Sequence, residues 1–503
     1  MADFDKINID SVSYLVKDSK ARASIAEMTS NSILATDLGI VPNSADDQAA
    51  AIETAFQTHK SIIFPAGTYL LGRAISLPAG CGLIGCGVNI TSFVFTSANG
   101  GITIATSSAG KFFNGCTIRD ISILARTFVS GAGITIDGRK SVVDRVTMFP
   151  HLTNVHVGPE TYNSTTAGFN SGIDMQNCNC SSLMGVSVVG ASNYAGRWDS
   201  DYGIRITGDS GYSIGTENLL TNINVKGFNY GVYAGFTEGV QIANSVLVGN
   251  NYGVYWDDGA RAHPHLAIVN SHLASAASNV VCKRILQGML LGNLFYNRKE
   301  GSVAPMVDLD QNCSQWTISG NVFYNAYTEK IVPGVAIAGD HMAVTGNQFA
   351  LLSADCIQLS STASYITISG VSSSGTGLYV KNKASQPAQI KSDYNARTDL
   401  NPLHSSVSAL ANSWFQITAA GVHVHFAFTA TSNIPQKTTL YRVTPPTRLN
   451  PIASVAYLGV LPGSNTHSLV TFAINEDGYV TNNLQIDSGY QFVVDLFLTY
   501  NHN

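Results

Sequence analysis

Four acidic residues, Asp209, Glu238, Asp257 and Asp258, stand among aromatic side chains in the middle of the chain. Glu238 closes the stretch Gly231-Val-Tyr-Ala-Gly-Phe-Thr-Glu238, which is echoed as Gly253-Val-Tyr-Trp-Asp-Asp258. Hydrolysis of a glycosidic bond needs two carboxyl groups, about 5 Å apart for retention or roughly 6.5–9.5 Å for inversion. With Gly231 and Gly253 in register on adjacent strands, Glu238 aligns with Ala260 and Asp258 with Phe236. Their backbones then lie roughly 8 Å apart, at ~3.3 Å per residue and ~4.8 Å between strands. Strand parity sends both side chains inward, so the pairing requires each strand to end in a turn before its acid. Asp257 points outward beside them, and Asp209 falls within a residue of the matching place one copy earlier. The competing reading of such acids is a solvated turn former. Trp198, Tyr202, Tyr233 and Tyr255 favour the functional one, because aromatic faces suit the apolar faces of pyranose rings; Asp174 and Arg205 are further substrate-binding candidates. A lyase would instead use Arg205 or a His/Tyr base near Asp174 to abstract a proton next to a uronate. A binding protein without catalysis would use the same acids as hydrogen-bond acceptors.

The elements that must position these residues are strands. The Gly-apolar-x-apolar pattern also occurs as Gly133-Ile-Thr-Ile-Asp137, Gly172-Ile-Asp-Met-Gln176 and Gly203-Ile-Arg-Ile-Thr207. A ladder of related strands separated by variable loops is a solenoid signature. Within each copy the period is two, so Ile134/Ile136, Ile173/Met175, Ile204/Ile206, Val232/Ala234 and Val254/Trp256 face the interior. The alternate residues form outward columns, Thr135/Asp174/Arg205/Tyr233/Tyr255 and Asp137/Gln176/Thr207/Gly235/Asp257. A second series carries Gly-Asn or Asn-Ser before a final apolar residue (Leu266-Ala-Ile-Val-Asn-Ser-His-Leu273, Met289-Leu-Leu-Gly-Asn-Leu-Phe295, Trp316-Thr-Ile-Ser-Gly-Asn-Val-Phe323). It marks one bend recurring rung after rung, with Asn as a left-handed turn residue or a stacked ladder. Val142–Val146 reads as a strand of the same series. Tyr194–Asp201 is an excursion long enough to wall a groove.

A chain of 503 residues exceeds one ordinary core, but a solenoid escapes that limit because each rung buries itself against its neighbours. Only 12% of residues are charged and 46 are Gly, which fits stacked short strands better than helices. The net charge of −5 argues against general affinity for nucleic acid or anionic membranes. The eight cysteines are scattered, mostly within apolar strands, and read as reduced core residues. No signal peptide or membrane-spanning run is visible, so synthesis in a cytoplasm is expected, without membrane insertion. No cofactor or metal is expected: calcium would need a tight acidic cluster, and His423 and His425, two apart on one face, lack a clear third ligand.

In chain order, Lys6–Asp10 and Ser13–Val16 alternate like a hairpin, and Lys17–Glu27 reads as a helix. This module is too short to hold a core alone. Asp46–Phe56 is a helix with Asp46 or Asp47 as N-cap acceptor and Ile52 and Phe56 on one face. It leads into Ser61-Ile-Ile-Phe-Pro-Ala-Gly-Thr-Tyr-Leu-Leu71, Ile75-Ser-Leu-Pro78 and Cys81-Gly-Leu-Ile-Gly-Cys-Gly87. This order resembles the opening of pectate-lyase-like right-handed parallel β-helices, where a helix caps the first rung. Beyond Ser369 the pattern fades, and Val422–Phe428, Ser468–Ile474 and Phe492–Leu498 alternate like strands of an antiparallel β-sandwich. The expected organisation is all-β: residues 1–36 an N-terminal module, 37–380 the β-helix, 381–503 the C-terminal sandwich. Together with Tyr14–Arg22, which is similar to short virion-anchoring heads, the whole resembles a bacteriophage tailspike. That resemblance implies a homotrimer in the virion, joined to a phage tail or baseplate protein through the N-terminal module. It also implies binding and cleavage of a bacterial capsule or O-antigen polysaccharide, with the last domain serving trimerisation or sugar binding.

Overall fold

The computed structural model describes residues 6–9, 12–15, 32–105, 113–138, 147–162, 164–191, 198–208, 215–257, 259, 263–298, 303–325, 327, 329–351, 354–373, 380–384, 389–391, 397–399, 402–409, 413–417, 421–443, 452–464, 466–475 and 478–499. The expected helix at 17–27, the strand at 142–146 and residues 194–197 of the excursion lie outside them. The N-terminal hairpin is present, Lys6–Ile9 pairing antiparallel with Val12–Leu15.

From Ser32 to Lys391 the chain winds as a parallel β-helix, each turn contributing to three parallel sheets. In the central rungs, sheet A holds Gly215–Thr221, Thr237–Ala243 and His263–Val269. Sheet B holds Asn224–Lys226 and the first halves of Val246–Asp257 and His272–Lys283. Sheet C holds Ser200–Thr207, Phe228–Gly235 and the second half of Val246–Asp257. One continuous core runs inside the coil, with every inward residue of the Gly-apolar-x-apolar copies buried and Trp256 wholly so. Phe295, Phe323 and Phe349 stack along it at 4.9 and 4.5 Å. Six of the eight thiols are buried and all eight are free; Cys86 and Cys180 are exposed.

The recurring bend is the corner between sheets A and B. Asn222, Asn244 and Asn270 hold left-handed φ of 54°, 52° and 50°, and Gly292, Gly320 and Gly346 continue the column at 61–64°. Asn and Gly are the residues that accept this region at least cost. One position on, a buried ladder hands the polymer of rungs together. The Asn293 N–H donates to Asn321 Oδ1 and the Asn321 N–H to Asn347 Oδ1, both at 2.9 Å, while each Nδ2 reaches a carbonyl of the preceding rung at 2.8 Å. The glycine repeated in sheet C answers to space. A Cβ at Gly203 would stand 2.2 Å from Val225 Cγ1, and one at Gly231 only 2.6 Å from the Gly253 carbonyl.

The capping helix, α1, spans Ala49–Thr58 and starts later than the sequence suggests. Gln48 is its N-cap and gives no side-chain cap, but Asp47 Oδ1 accepts the Ala49 N–H at 3.0 Å and the Gly72 N–H at 2.9 Å. Ile52 and Phe56 are buried as expected. At the far end, parallel pairing reaches Val380 with Thr398, and Arg397–Asp399 then pairs antiparallel with Trp414–Ile417. The C-terminal strands form a separate antiparallel sheet curled almost closed over its own core, centred on Phe426, Phe428, Tyr441 and Phe472.

Candidate active site on sheet C

The outer face of sheet C collects the polar and aromatic residues of successive rungs. Thr135, Asp174, Arg205, Tyr233 and Tyr255 align in one column, as the sequence period requires. Asp137, Gln176, Thr207 and Gly235 align in the next, and Asp257 aligns with Lys283. A third column, Ser171, Tyr202, Tyr230 and Tyr252, starts each strand. Sequence reasoning missed Tyr230 and Tyr252. The signal was the residue before each repeated glycine, Tyr202-Gly203, Tyr230-Gly231 and Tyr252-Gly253. It was hidden because a two-residue period does not place positions i and i+3 on one face; here the strand is irregular at the glycine, where both the glycine and the residue after it are buried.

Five tyrosines therefore form a lattice. Tyr202, Tyr230 and Tyr252 stack at 5.5 and 5.4 Å, and Tyr233 stacks on Tyr255 at 6.1 Å with 8° between planes. Edge contacts join the columns, Tyr230 touching Tyr233 at 5.7 Å and Tyr255 at 5.1 Å. Burial, the neighbouring phenols and Asp257 push the Tyr233 hydroxyl above its ordinary value, which makes it a poor base near neutral pH.

Ion pairs flank the lattice. On the upstream side the Arg205 guanidinium lies 3.5 Å from Asp174 and 5.3 Å from the Tyr202 ring centre, and Gln176 Nε2 donates to Asp174 at 2.7 Å. On the downstream side Lys283 Nζ lies 3.0 Å from Asp257 and 5.2 Å from the Tyr255 ring centre. Hydrogen bonds to the Tyr255 hydroxyl and to Asp257 raise the Lys283 ammonium. Partial burial alone would raise Asp257, but Lys283, the Gly259 N–H and Arg284 outweigh it and hold the carboxyl below its usual range. Asp308, two rungs beyond Tyr255 in the same column, is shifted the other way: the surrounding protein and Asp310 raise it, against Lys283. Its carboxylate is solvent-accessible. Neither Lys283 nor Asp308 stood out in the sequence, since both follow the repeated copies.

Glu238 and Trp198 are placed apart from the lattice. Glu238 does not continue the strand of Tyr233. Phe236 takes φ of 49°, the strand ends, and Glu238 opens the next strand in sheet A opposite Thr216; two residues on, Val240 pairs with Leu266, an offset of 26 residues rather than the expected 22, while Ala260 lies outside the described residues. The turn before the acid, which the pairing required, is there. Asp258 and Asp209 lie outside the described residues. Trp198 Nε1 donates to the Gly249 carbonyl at 3.0 Å, tying the excursion across two rungs at the corner between sheets B and C. No group of three His, Cys, Asp or Glu suited to a metal occurs among the described residues. His423 and His425 both hydrogen-bond to Asp495, a third partner that the sequence did not reveal because it comes from a distant strand. Trp414 stacks on His425 at 5.5 Å.

Residues 32–263 match the family model described as rhamnogalacturonase A/epimerase, pectate lyase-like. With the strand register, this makes the fold a pectate-lyase-like parallel β-helix followed by an antiparallel C-terminal sheet. No curated protein matches the chain. Among solved structures, the chain is similar to the A-module of the mannuronan C-5 epimerase AlgE6 of Azotobacter vinelandii, with 16% identity, covering 68% of this chain and 99% of that one at a TM-score of 0.47. It is also similar to the Dettilon tailspike protein, with 13% identity, covering 96% and 97% at a TM-score of 0.45. A third likeness is to bacteriophage phi29 gene product 12 in its pre-mature form, with 13% identity, covering 75% and 59% at a TM-score of 0.48.

Proposed function

We propose that this chain is the subunit of a bacteriophage tailspike that binds and cleaves a bacterial surface polysaccharide along the outer face of sheet C. The observation that carries this reading is the five-tyrosine lattice abutting the Asp257–Lys283 pair. Rings stacked over three rungs build a continuous aromatic surface along the sheet against which consecutive sugars pack, and the pair supplies charge at its edge. The pectate-lyase-like match over 32–263 covers the lattice rungs and supports action on a polysaccharide.

Endo-glycoside hydrolysis is the chemistry favoured. An acid and a base at one pH require two carboxyl groups in unlike environments. Asp257 is held ionised, and Asp308 is held up. Glu238, at the start of its sheet A strand, Asp258, which follows Asp257 in the sequence, and Asp209 are the further catalytic candidates. A lyase acting through Tyr233 is disfavoured by its raised hydroxyl, and Arg205 is already committed to Asp174. The test is digestion of a panel of capsule and O-antigen polysaccharides, with products analysed by mass spectrometry and ultraviolet absorbance. Saturated fragments support hydrolysis; unsaturated ones select the lyase. Glu238→Gln, Asp257→Asn, Asp258→Asn and Asp308→Asn locate the acids: loss of turnover by about two to four orders of magnitude in two of them, with binding retained, identifies the pair. Asp209→Asn alone abolishing turnover would move the pair one rung earlier.

A further inference from the structure

Sheet C carries a second feature below the tyrosines. An open depression of about 340 Å³ lies over Ala336, Ile337 and Ala338. Its shape follows from the register. Asp308 aligns with Ala336, then Gln358, then Lys381, so a rung of alanines sits between longer side chains above and below. The dent is one rung wide, about 4.8 Å between strands on each side, which is the width of one pyranose ring. Its floor is apolar, its upper rim is Asp308, and its lower wall is Gln358, Ser360, Lys381 and Lys383.

The charges around the dent are unequally satisfied. Lys283, above it, is paired with Asp257. Asp355 accepts from Gln358 Nε2 at 2.9 Å and lies 3.9 Å from Lys381, a loose contact. Asp310 is engaged by the Arg284 and Asn312 N–H groups. Lys383 is exposed and makes no ion pair among the described residues. Lys381, in the strand Val380–Asn382, and Lys383, just past its end, both line the depression and present up to six N–H donors beside its apolar floor.

We propose that this depression is a subsite for a carboxylate-bearing sugar, so that the polysaccharide handled on sheet C is anionic. The ring covers Ala336 and Ala338, a hydroxyl reaches Asp308 or Gln358, and the carboxylate meets Lys381 and Lys383. The inference rests on sheet C being the glycan face, to which the dent is joined through Tyr255, Lys283 and Asp308 in adjoining rungs. A polymer lying along the helix axis then spans the tyrosines at one end and the lysines at the other.

The test uses the full chain, immobilised, and a panel of polymers: polygalacturonate, polymannuronate, polysialate, dextran, mannan, and acidic and neutral bacterial capsules. Each retained polymer is also tested after chemical reduction of its carboxyl groups. The expected result is that retained polymers carry carboxylates and lose about tenfold or more in affinity on reduction, with a similar loss in K381Q/K383Q. Lys60→Gln, in a separate groove on sheet A, serves as the charge control and should leave affinity unchanged. Retention of a neutral or purely phosphorylated polymer overturns the proposal. So does an acidic polymer held equally by wild type and K381Q/K383Q while Tyr233→Ala/Tyr255→Ala releases it; in that case the glycan face stands and the dent alone is refuted. If no polymer is retained, the carbohydrate reading fails and the subsite with it.

Discussion

Replacing Tyr230 by alanine is the sharpest test of whether the tyrosines act as one platform. Tyr230 is the hub: its ring is within 5.1–5.7 Å of four others, stacked on Tyr202 and Tyr252 and edge-on to Tyr233 and Tyr255. Aromatic pairs contribute about 0.5–1.5 kcal/mol each beyond the area they bury. The four contacts are not additive, because the remaining rings also touch one another and Tyr230 is only half-buried. A loss of about 2–3 kcal/mol in stability is therefore expected, against ~3–5 kcal/mol for a fully buried ring. Tyr365→Ala provides the comparison, since that ring is 62% exposed and stacks only on His341 among the described rings; its cost should stay within about 0.5 kcal/mol. Urea unfolding reads both variants, and glycan retention reads the consequence for binding, expected to weaken about tenfold or more for Tyr230→Ala and little for Tyr230→Phe. Should Tyr230→Ala behave like Tyr365→Ala in unfolding and hold polysaccharide as wild type does, the lattice is a set of independent surface rings and the platform argument is wrong.

Further outcomes are expected elsewhere. Asn321→Ala should cost about 3 kcal/mol or more in chemical denaturation, because it strips the buried Asn293 N–H of its acceptor and the Leu290 carbonyl of its donor; a change below about 1 kcal/mol would show that the ladder is dispensable. Gly231→Ala should destabilise by more than about 2 kcal/mol, since its Cβ would meet the Gly253 carbonyl at 2.6 Å, whereas Gly131→Ala, with nothing within 4 Å, should be near neutral. Asp257 has a folded-state pKa below its unfolded value, so its contribution is fully present above the unfolded carboxylate range and is lost as pH falls through the folded one. Thermal midpoints of wild type should thus fall more steeply on acidification below about pH 4 than those of Asp257→Asn, by a modest amount because both partners are partly solvated. Parallel pH profiles for the two proteins would rule out the Lys283 pair as a contributor.

How much of this was legible depended on whether a residue sat inside a repeated copy. The column from Thr135 through Asp174 and Arg205 to Tyr255 could be read because each copy shares one glycine and one two-residue period, and register then follows by counting. Counting failed at Phe236. A single left-handed residue ends the strand there, turns Glu238 into another sheet, and leaves no mark in the sequence, because phenylalanine is not a residue that signals such a bend. The asparagine bend was legible for the opposite reason: Asn and then Gly occupy one corner for many rungs, and both tolerate that backbone. Lys283, Asp308 and Lys381 were invisible because their strands carry no copy of the glycine pattern; only the pairing of Asp257 with Lys283 and of Val281 with Asp308 brings them to the same face.

The placement of charge on sheet C gives the face a direction that composition alone does not. Upstream, the cation and the carboxylate of Arg205 and Asp174 satisfy one another and border the first tyrosine; in the middle, Lys283 bridges the last tyrosine of its column and Asp257; downstream, Lys383 stands without an ion pair among the described residues. A neutral chain sliding along such a face would find the stacking ground at one end and nothing to answer the cation at the other. A chain bearing carboxylates would be held at both ends, with Asp257 and Asp308, the two oppositely tuned carboxyl groups, in the rungs between. On the proposed hydrolytic reading, affinity at the ends and acid–base chemistry in the middle would let binding energy from remote sugars be used at the bond that breaks. It follows that shortening the glycan from the lysine end should lower turnover and not affinity alone, which single-turnover kinetics on a graded set of oligosaccharides would measure directly; equal turnover at every length would separate the dent from the chemistry.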